Sequence, residues 1–270
     1  MTTIALAIPH TPWVTERAIS MGAIRDALHI HGTADGIGAD SYREFTDRAP
    51  NSVWCVEMWE WLANTGADWC LQLQDDVMVS PSFWPALRAM LASLPADADV
   101  VGLTSTHPMA PEIARQGHRW YRTPGNLVGW AYCIRRTALV EFLAIRSELP
   151  ETFRAKNEDD QIAEWAAKSN RGVWHPVPAI VDHDTSIPSS YKNDDHSHRR
   201  PQVTWRDFPE ASLCDASWWI PSGTTHMLPM PSQFDCWGCG QEPQAVRFPT
   251  GVRLGRQCVA NLFRIMASKL

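Results

Sequence analysis

No apolar stretch in this 270-residue chain approaches the roughly 18 residues that a membrane-spanning helix needs. The opening MTTIALAIPHTPW has no basic segment, and its apolar run is too short for a secretory signal. A cytoplasmic protein is expected, without a membrane partner, and no basic amphipathic helix offers surface attachment either. Positive charge is also scarce. Lys and Arg number 24 against 30 Asp and Glu, for a net charge of −6, which argues against a surface that coats nucleic acid throughout. There is no internal repeat, and oligomeric state has no signature. Cysteine comes in an odd number, seven, so the set cannot be fully paired. Cys55, Cys70 and Cys133 stand singly in apolar surroundings, as buried free thiols do. Cys214, Cys236, Cys239 and Cys258 crowd the last quarter, where a cytoplasmic chain favours metal over disulfides.

What is present is an ordinary enzyme composition, 44% apolar and 20% charged, long enough for one large domain or a large and a small one. Charge is uneven. From Arg199 onward 8 basic side chains meet 5 acidic ones, which leaves about −9 on the body of the chain. Buried strands are expected at Thr3 to Pro9, Trp69 to Gln74, DADVVGLTST and NLVGWAYCIRR. GVWHPVPAIVDHD reads as a further strand, placed at an edge by its prolines. Helices are expected at Thr15 to Leu28, Ser52 to Asn64 with Gly66 past its end, Pro81 to Leu94, Thr137 to Ile145 and NEDDQIAEWAAKSN. HIHGTADGIGAD is a glycine-rich connection. Strand and helix alternate, and the strands are continuously apolar. The fold class is therefore α/β with a largely parallel sheet over residues 1–198, followed by a Pro-, Trp- and Cys-rich module over 199–270.

Three acidic constellations carry chemistry. In LQLQDDV, Asp75 and Asp76 end an apolar strand, the edge at which open α/β sheets bind ligands. Paired carboxylates there suit Mg²⁺ or Mn²⁺; the bland reading is a solvated turn that caps the next helix. In AIVDHDTS, His183 lies between Asp182 and Asp184, either as a third ligand or as a satisfied structural histidine. In KNEDDQIAEW, Asn157 is expected to cap a helix, and Glu158, Asp159 and Asp160 fill its first turn. Compensation of the macrodipole explains some of that charge. Mutual repulsion among three acids would raise one pKa, as a general base requires.

Taken in order, LQLQDDV, GNLVGWAYCIRR, NEDDQIAEW and VDHDTS resemble the GT-A glycosyltransferases over roughly residues 3–195. The resemblance implies a GT-A-like (Rossmann-like) sheet and transfer from a nucleotide sugar, a UDP-sugar above all, by an inverting mechanism. It implies Asp76 and His183 as ligands of the catalytic cation, with Asp75 contacting the ribose or assisting Asp76. Asp159, with Asp160 beside it, takes the place of the base. Gly129 and Trp130 match the acceptor side, and Pro9, His10, Thr11 and Arg17 the nucleotide side. Gln74 stands where many members carry a third acid, so the division of labour between Asp75 and Asp76 stays open.

In the tail, Cys236-x-x-Cys239-Gly and Cys258 suggest a structural Zn²⁺, with His226 or Cys214 as fourth ligand and His226 preferred. Free thiols are the alternative. Arg247, Arg253 and Arg256 read as a hairpin that touches nucleic acid, or as a solvated face. Phage-type enzymes that glucosylate hydroxymethylated pyrimidines give a precedent for DNA as acceptor, and such a protein would work in the host cytoplasm. A surface glycan or its lipid-linked precursor is the alternative acceptor. A non-enzymatic, nucleic-acid-binding zinc module is the competing class.

Overall fold

The computed structural model describes residues 2–30, 38–46, 51–187, 201–221, 226–228, 245–247 and 253–255. The chain opens with β1 (Ile4–Pro9), α1 (Thr15–Ala27), β2 (Ser41–Phe45), α2 (Asn51–Asn64), β3 (Trp69–Leu73), β4 (Val77–Val79) and α3 (Phe83–Ser93). It continues with β5 (Val100–Gly102), α4 (Ala110–Arg115), β6 (Trp120–Thr123), β7 (Ala131–Arg135), α5 (Arg136–Arg146), α6 (Glu151–Arg154) and α7 (Glu158–Lys168). β8 (Val173–Pro176), β9 (Val181–His183) and α8 (Glu210–Leu213) follow, then β10 (His226–Met227), β11 (Ala245–Arg247) and β12 (Arg253–Gly255).

Among the described residues the central sheet has 8 strands in the order β10-β6-β8-β5-β7-β3-β1-β2. β2, β1 and β3 are parallel neighbours, as are β5 and β8. β7 runs antiparallel between β3 and β5, and β6 antiparallel to β8. The result is a mixed, mostly parallel sheet.

Side-chain alternation explains why the strands are apolar throughout. Ile4, Leu6 and Ile8 of β1 face the core shared with Met21 of α1 and Phe83 and Leu87 of α3. Ala5 and Ala7 face the opposite core, with Trp59 of α2, Phe142 of α5 and Trp165 of α7. A sheet covered on both faces needs apolar residues at every position. Gly66, at φ +80°, stops α2 in the left-handed conformation expected of it.

Three expectations are corrected. GVWHPVPAIVDHD is two strands, since Pro176 and Pro178 cannot donate to a continuous ladder. Its first half, β8, lies inside the sheet between β5 and β6, not at an edge; its second half, β9, pairs with β4 in a separate two-stranded ladder. The side chain of Asn157 makes no capping bond, although the residue occupies the N-cap of α7.

Residues 201–221 pack onto the same core. Trp205, Leu213 and Trp219 join the cluster that holds α3, and the Trp219 carbonyl accepts from Ser93 Oγ at 3.0 Å and from Trp120 Nε1. β10 adds an edge strand beside β6, with His226 opposite Tyr121. β11 and β12 form an antiparallel pair in which Arg247 stands opposite Arg253. Cys236, Cys239, Cys258 and Arg256 lie outside the described residues, so the zinc expectation does too. Cys214 is exposed, and Cys55, Cys70 and Cys133 are buried free thiols.

Candidate active site

The site forms along one edge of the sheet, where β1 and β3 end and β7 begins. Backbone bonds bring the segments together. Gln74 N–H donates to the Trp130 carbonyl at 2.8 Å, and Asp184 N–H donates to the Asp76 carbonyl at 2.9 Å. The β4–β9 ladder sets Val77 opposite His183 and carries the histidine to the carboxylate pair.

Asp75 and Asp76 are 1% and 3% exposed, and the sequence makes them neighbours. What lies between them is a guanidinium. Arg17 Nη1 bonds Asp75 Oδ1, and Nη2 bonds Asp76 Oδ2 at 2.6 Å. Asp75 is further held by the Thr11 N–H at 2.7 Å and by His10 Nδ1 at 3.2 Å. His183 Nε2 lies 3.4 Å from Asp76 Oδ2, and the imidazole stacks on Trp130 at a centroid distance of 4.3 Å. Burial pushes the Asp76 carboxyl up, but the His183 hydrogen bond and the Arg17 charge outweigh it and hold the group below the usual carboxylate range. Asp76 Oδ1 is buried with no hydrogen-bond partner among the described residues. A carboxylate with one oxygen orphaned and the other near an imidazole nitrogen fits a divalent cation whose remaining positions would go to phosphate and water. Both oxygens of Asp75 already accept hydrogen bonds. Among the described residues no group of three or more His, Cys, Asp or Glu side chains forms a ligand set.

The third constellation lies across Gly129. Asp159 is partly buried, with Oδ2 accepting from the Gly129 N–H at 2.9 Å and Oδ1 from the Asp160 N–H at 3.0 Å. Burial, with the charges of Glu158 and Asp160 added, raises its pKa from 3.8 to about 8. Asp160 is exposed. A Cβ on residue 129 would meet Glu158 Oε1 at 2.9 Å and Asp159 Oδ2 at 3.2 Å, so only glycine lets the two segments close.

Sequence reasoning missed Glu158 as an anchor. It is 1% exposed, and Oε1 accepts from Gln74 Nε2 at 3.1 Å and Gln72 Nε2 at 3.3 Å. Gln72 Oε1 accepts in turn from Tyr132 Oη at 2.6 Å, which accepts from Trp59 Nε1 at 3.0 Å. The signal was visible in LQLQ: two amides two residues apart in a buried strand share one face and need a polar partner there. Arg206 was missed as well. Its Nη1 bonds Asp182 Oδ2 at 3.0 Å, and Asp182 Oδ1 accepts from the His183 N–H at 2.8 Å, so the 201–221 segment braces the histidine.

The structure thus brings together His10, Thr11, Arg17, Asp75, Asp76 and His183, with Trp130 stacked on the histidine. Gly129, next along the chain, leads to Asp159. Pro9 ends β1 one residue before His10. His226 belongs to the far edge strand β10.

No family model matches the chain, and no curated protein sequence matches it. Among solved structures, A197 from STIV aligns at 15% identity and TM-score 0.38, over 68% of this chain and 85% of that one. Mannose-1-phosphate geranyltransferase from Thermus thermophilus aligns at 15% identity and TM-score 0.39, over 65% and 74%. Glucosyl-3-phosphoglycerate synthase from Mycobacterium tuberculosis, solved with Mn²⁺, uridine diphosphate and glucosyl-3-phosphoglycerate, aligns at 12% identity and TM-score 0.31, over 54% and 65%. Likenesses of this size bear on neither activity nor substrate. No helix among the described residues is long and apolar enough to cross a membrane.

Proposed function

We propose that the chain is a GT-A-type glycosyltransferase that moves a sugar from a nucleotide sugar, a UDP-sugar first among them, to an acceptor hydroxyl with inversion. One observation carries this reading: the Asp76 carboxylate, with Oδ2 at 3.4 Å from His183 Nε2 and Oδ1 buried without a partner among the described residues, lies at the same sheet edge as Asp159, a carboxyl whose pKa is raised to about 8. Asp76 and His183 would hold Mn²⁺ or Mg²⁺, which supplies Lewis-acid stabilisation of the departing diphosphate. Asp75 fixes Arg17 and the 10–11 turn, which forms the floor on the nucleotide side. Trp130, stacked on His183, presents an apolar wall that excludes water from the reacting carbon. Asp159 accepts the proton of the acceptor hydroxyl through a carboxylate oxygen, and the Gly129 N–H keeps that group aimed. Gln72 and Gln74 lock Glu158, and with it the first turn of α7.

For the acceptor, we favour a hydroxymethylated pyrimidine in DNA. The support is the antiparallel β11–β12 pair, which sets Arg247 opposite Arg253 in the part of the chain that is net basic. A structural Zn²⁺ held by Cys236, Cys239 and Cys258, with His226, would stabilise that module. Mass spectrometry of hydroxymethylated DNA, incubated with the protein, Mn²⁺ and a panel of nucleotide sugars, tests the acceptor. A hexose mass added to the modified base supports it. Transfer to a saccharide, with DNA untouched, would replace it with the glycan acceptor.

A further inference from the structure

Arg17 is in an unusual place for a cation. It lies in the first turn of α1, where the helix dipole repels positive charge, yet it is only 7% exposed. Only the carboxylate pair explains its position. Its planar fork spans both acids, Nη1 to Asp75 and Nη2 to Asp76, a geometry that the point charge of lysine cannot reproduce. The two acids are not held equally. Asp75 keeps the Thr11 N–H and His10 if the guanidinium leaves, whereas Asp76 keeps, among the described residues, the His183 contact.

The two carboxylates and the guanidinium together carry one negative charge. A divalent ion on Asp76 would reverse that sign and set a second cation beside the first, at a cost that burial magnifies. A nucleoside diphosphate would remove the conflict, because its phosphate oxygens can ligate the ion and also accept hydrogen bonds from the guanidinium. Building on the proposed cation site, we infer that Arg17 is an internal counter-cation that keeps the divalent ion out of the Asp75–Asp76 cleft until a nucleoside diphosphate enters. The coupling is reciprocal: whatever factor the diphosphate adds to the affinity for the ion, the ion adds to the affinity for the diphosphate. Arg17 is thus a positioning residue that orders assembly of the site, so that the ion and the leaving group arrive together.

The test is Mn²⁺ binding by the full chain, followed by electron paramagnetic resonance of the free ion. It is run without nucleotide, with UDP and with GDP. The Asp76→Asn variant serves as the baseline that subtracts ion carried by the nucleotide or by other sites. A neighbouring charge at this range moves an equilibrium by about one to three powers of ten. The wild type should bind Mn²⁺ weakly alone and at least about tenfold more tightly with one of the two diphosphates. Arg17→Gln should bind Mn²⁺ alone at least about tenfold more tightly than the wild type, with most of the nucleotide's gain lost. Arg17→Lys, which keeps the charge, should stay near the wild type. Far-UV circular dichroism checks that each variant folds. The inference is overturned if wild-type Mn²⁺ binding is equally tight with and without diphosphate, a result that needs no variant. It is also overturned if Arg17→Gln binds no more tightly than the wild type, or if Arg17→Lys gains as much as Arg17→Gln. Mn²⁺ binding that Asp76→Asn abolishes but Arg17 does not affect would refute the inference and leave the cation site standing. No Mn²⁺ binding above the Asp76→Asn baseline under any condition would overturn both.

Discussion

Replacing Asp159 with asparagine should lower activity and raise stability together, because the same environment produces both effects. The carboxyl has moved from 3.8 to about 8, so the native site holds a proton that the unfolded chain has released. Over that window the unfolded state binds fewer protons, and wild-type stability therefore falls as pH rises from about 4 to about 8. A shift of that size corresponds to a ceiling of ~6 kcal/mol. Partial exposure, and a proton shared with the Glu158 neighbourhood, reduce what is realised to roughly 2 kcal/mol. The asparagine side chain carries no charge at any pH and still offers an oxygen to the Gly129 N–H. Above about pH 8 the variant should therefore be about 2 kcal/mol more stable than the wild type by urea unfolding, with the gap closing towards about pH 4. In the rate the sign reverses. A base of pKa about 8 must lose its proton to act, so wild-type kcat/KM should climb about tenfold per pH unit below about 8 and level off above it. The variant should lose about 10²–10⁴-fold in kcat and show no such climb. Asp159→Asn that is less stable than the wild type in alkali, above the pKa of about 8, or that keeps the pH-dependent climb, refutes the assignment. Collapse of kcat in Asp160→Asn instead would move the base by one residue.

Gly129→Ala should cost about 1–3 kcal/mol by chemical denaturation, since its Cβ would lie 2.9 Å from Glu158 Oε1 and something must shift. The same variant should lower kcat more than donor affinity, because the displaced group is the first turn of α7. Trp219→Ala should cost about 3–5 kcal/mol in urea unfolding, because the ring is fully buried in the core that holds α3. A chain ending at residue 198 should accordingly fail to unfold cooperatively; full stability in that truncation would remove residues 201–221 from the core account. Changing Arg247, Arg253 and Arg256 together to alanine should weaken DNA binding in a salt titration and flatten its slope, while hydrolysis of the donor persists. An unchanged slope would count against the tail as a DNA clamp.

Much of this arrangement is legible in the sequence because burial dictates it. β1 and β3 announce themselves as unbroken apolar runs, since both faces of the sheet are covered. Asp75 and Asp76 stand out because ionised groups rarely end such a run without a ligand or a partner. The identity of that partner was not legible. Arg17 lies 58 residues away from Asp75, and nothing in a helical pattern says that a first-turn arginine turns inward. β2, SYREF, is mostly polar because it is an edge strand with only Phe45 buried, so periodicity gives little signal. The split of GVWHPVPAIVDHD depends on what each half pairs with, β5 and β6 for one and β4 for the other, and tertiary pairing leaves no local mark. The reversed direction of β7 is invisible for the same reason: NLVGWAYCIRR reads alike in either orientation. Gln74, which looks like a departure from an acidic motif, is explained by Glu158, a contact 84 residues along the chain.

The most direct test of the central claim is release of nucleoside diphosphate from a panel of nucleotide sugars, measured with Mn²⁺, with EDTA, and in the Asp76→Asn variant. The account predicts release with Mn²⁺ for at least one donor, its loss on chelation, and its loss in Asp76→Asn while circular dichroism shows an intact fold. Release that survives both exhaustive chelation and Asp76→Asn would contradict the account, and so would a folded wild type that cleaves no nucleotide sugar at all.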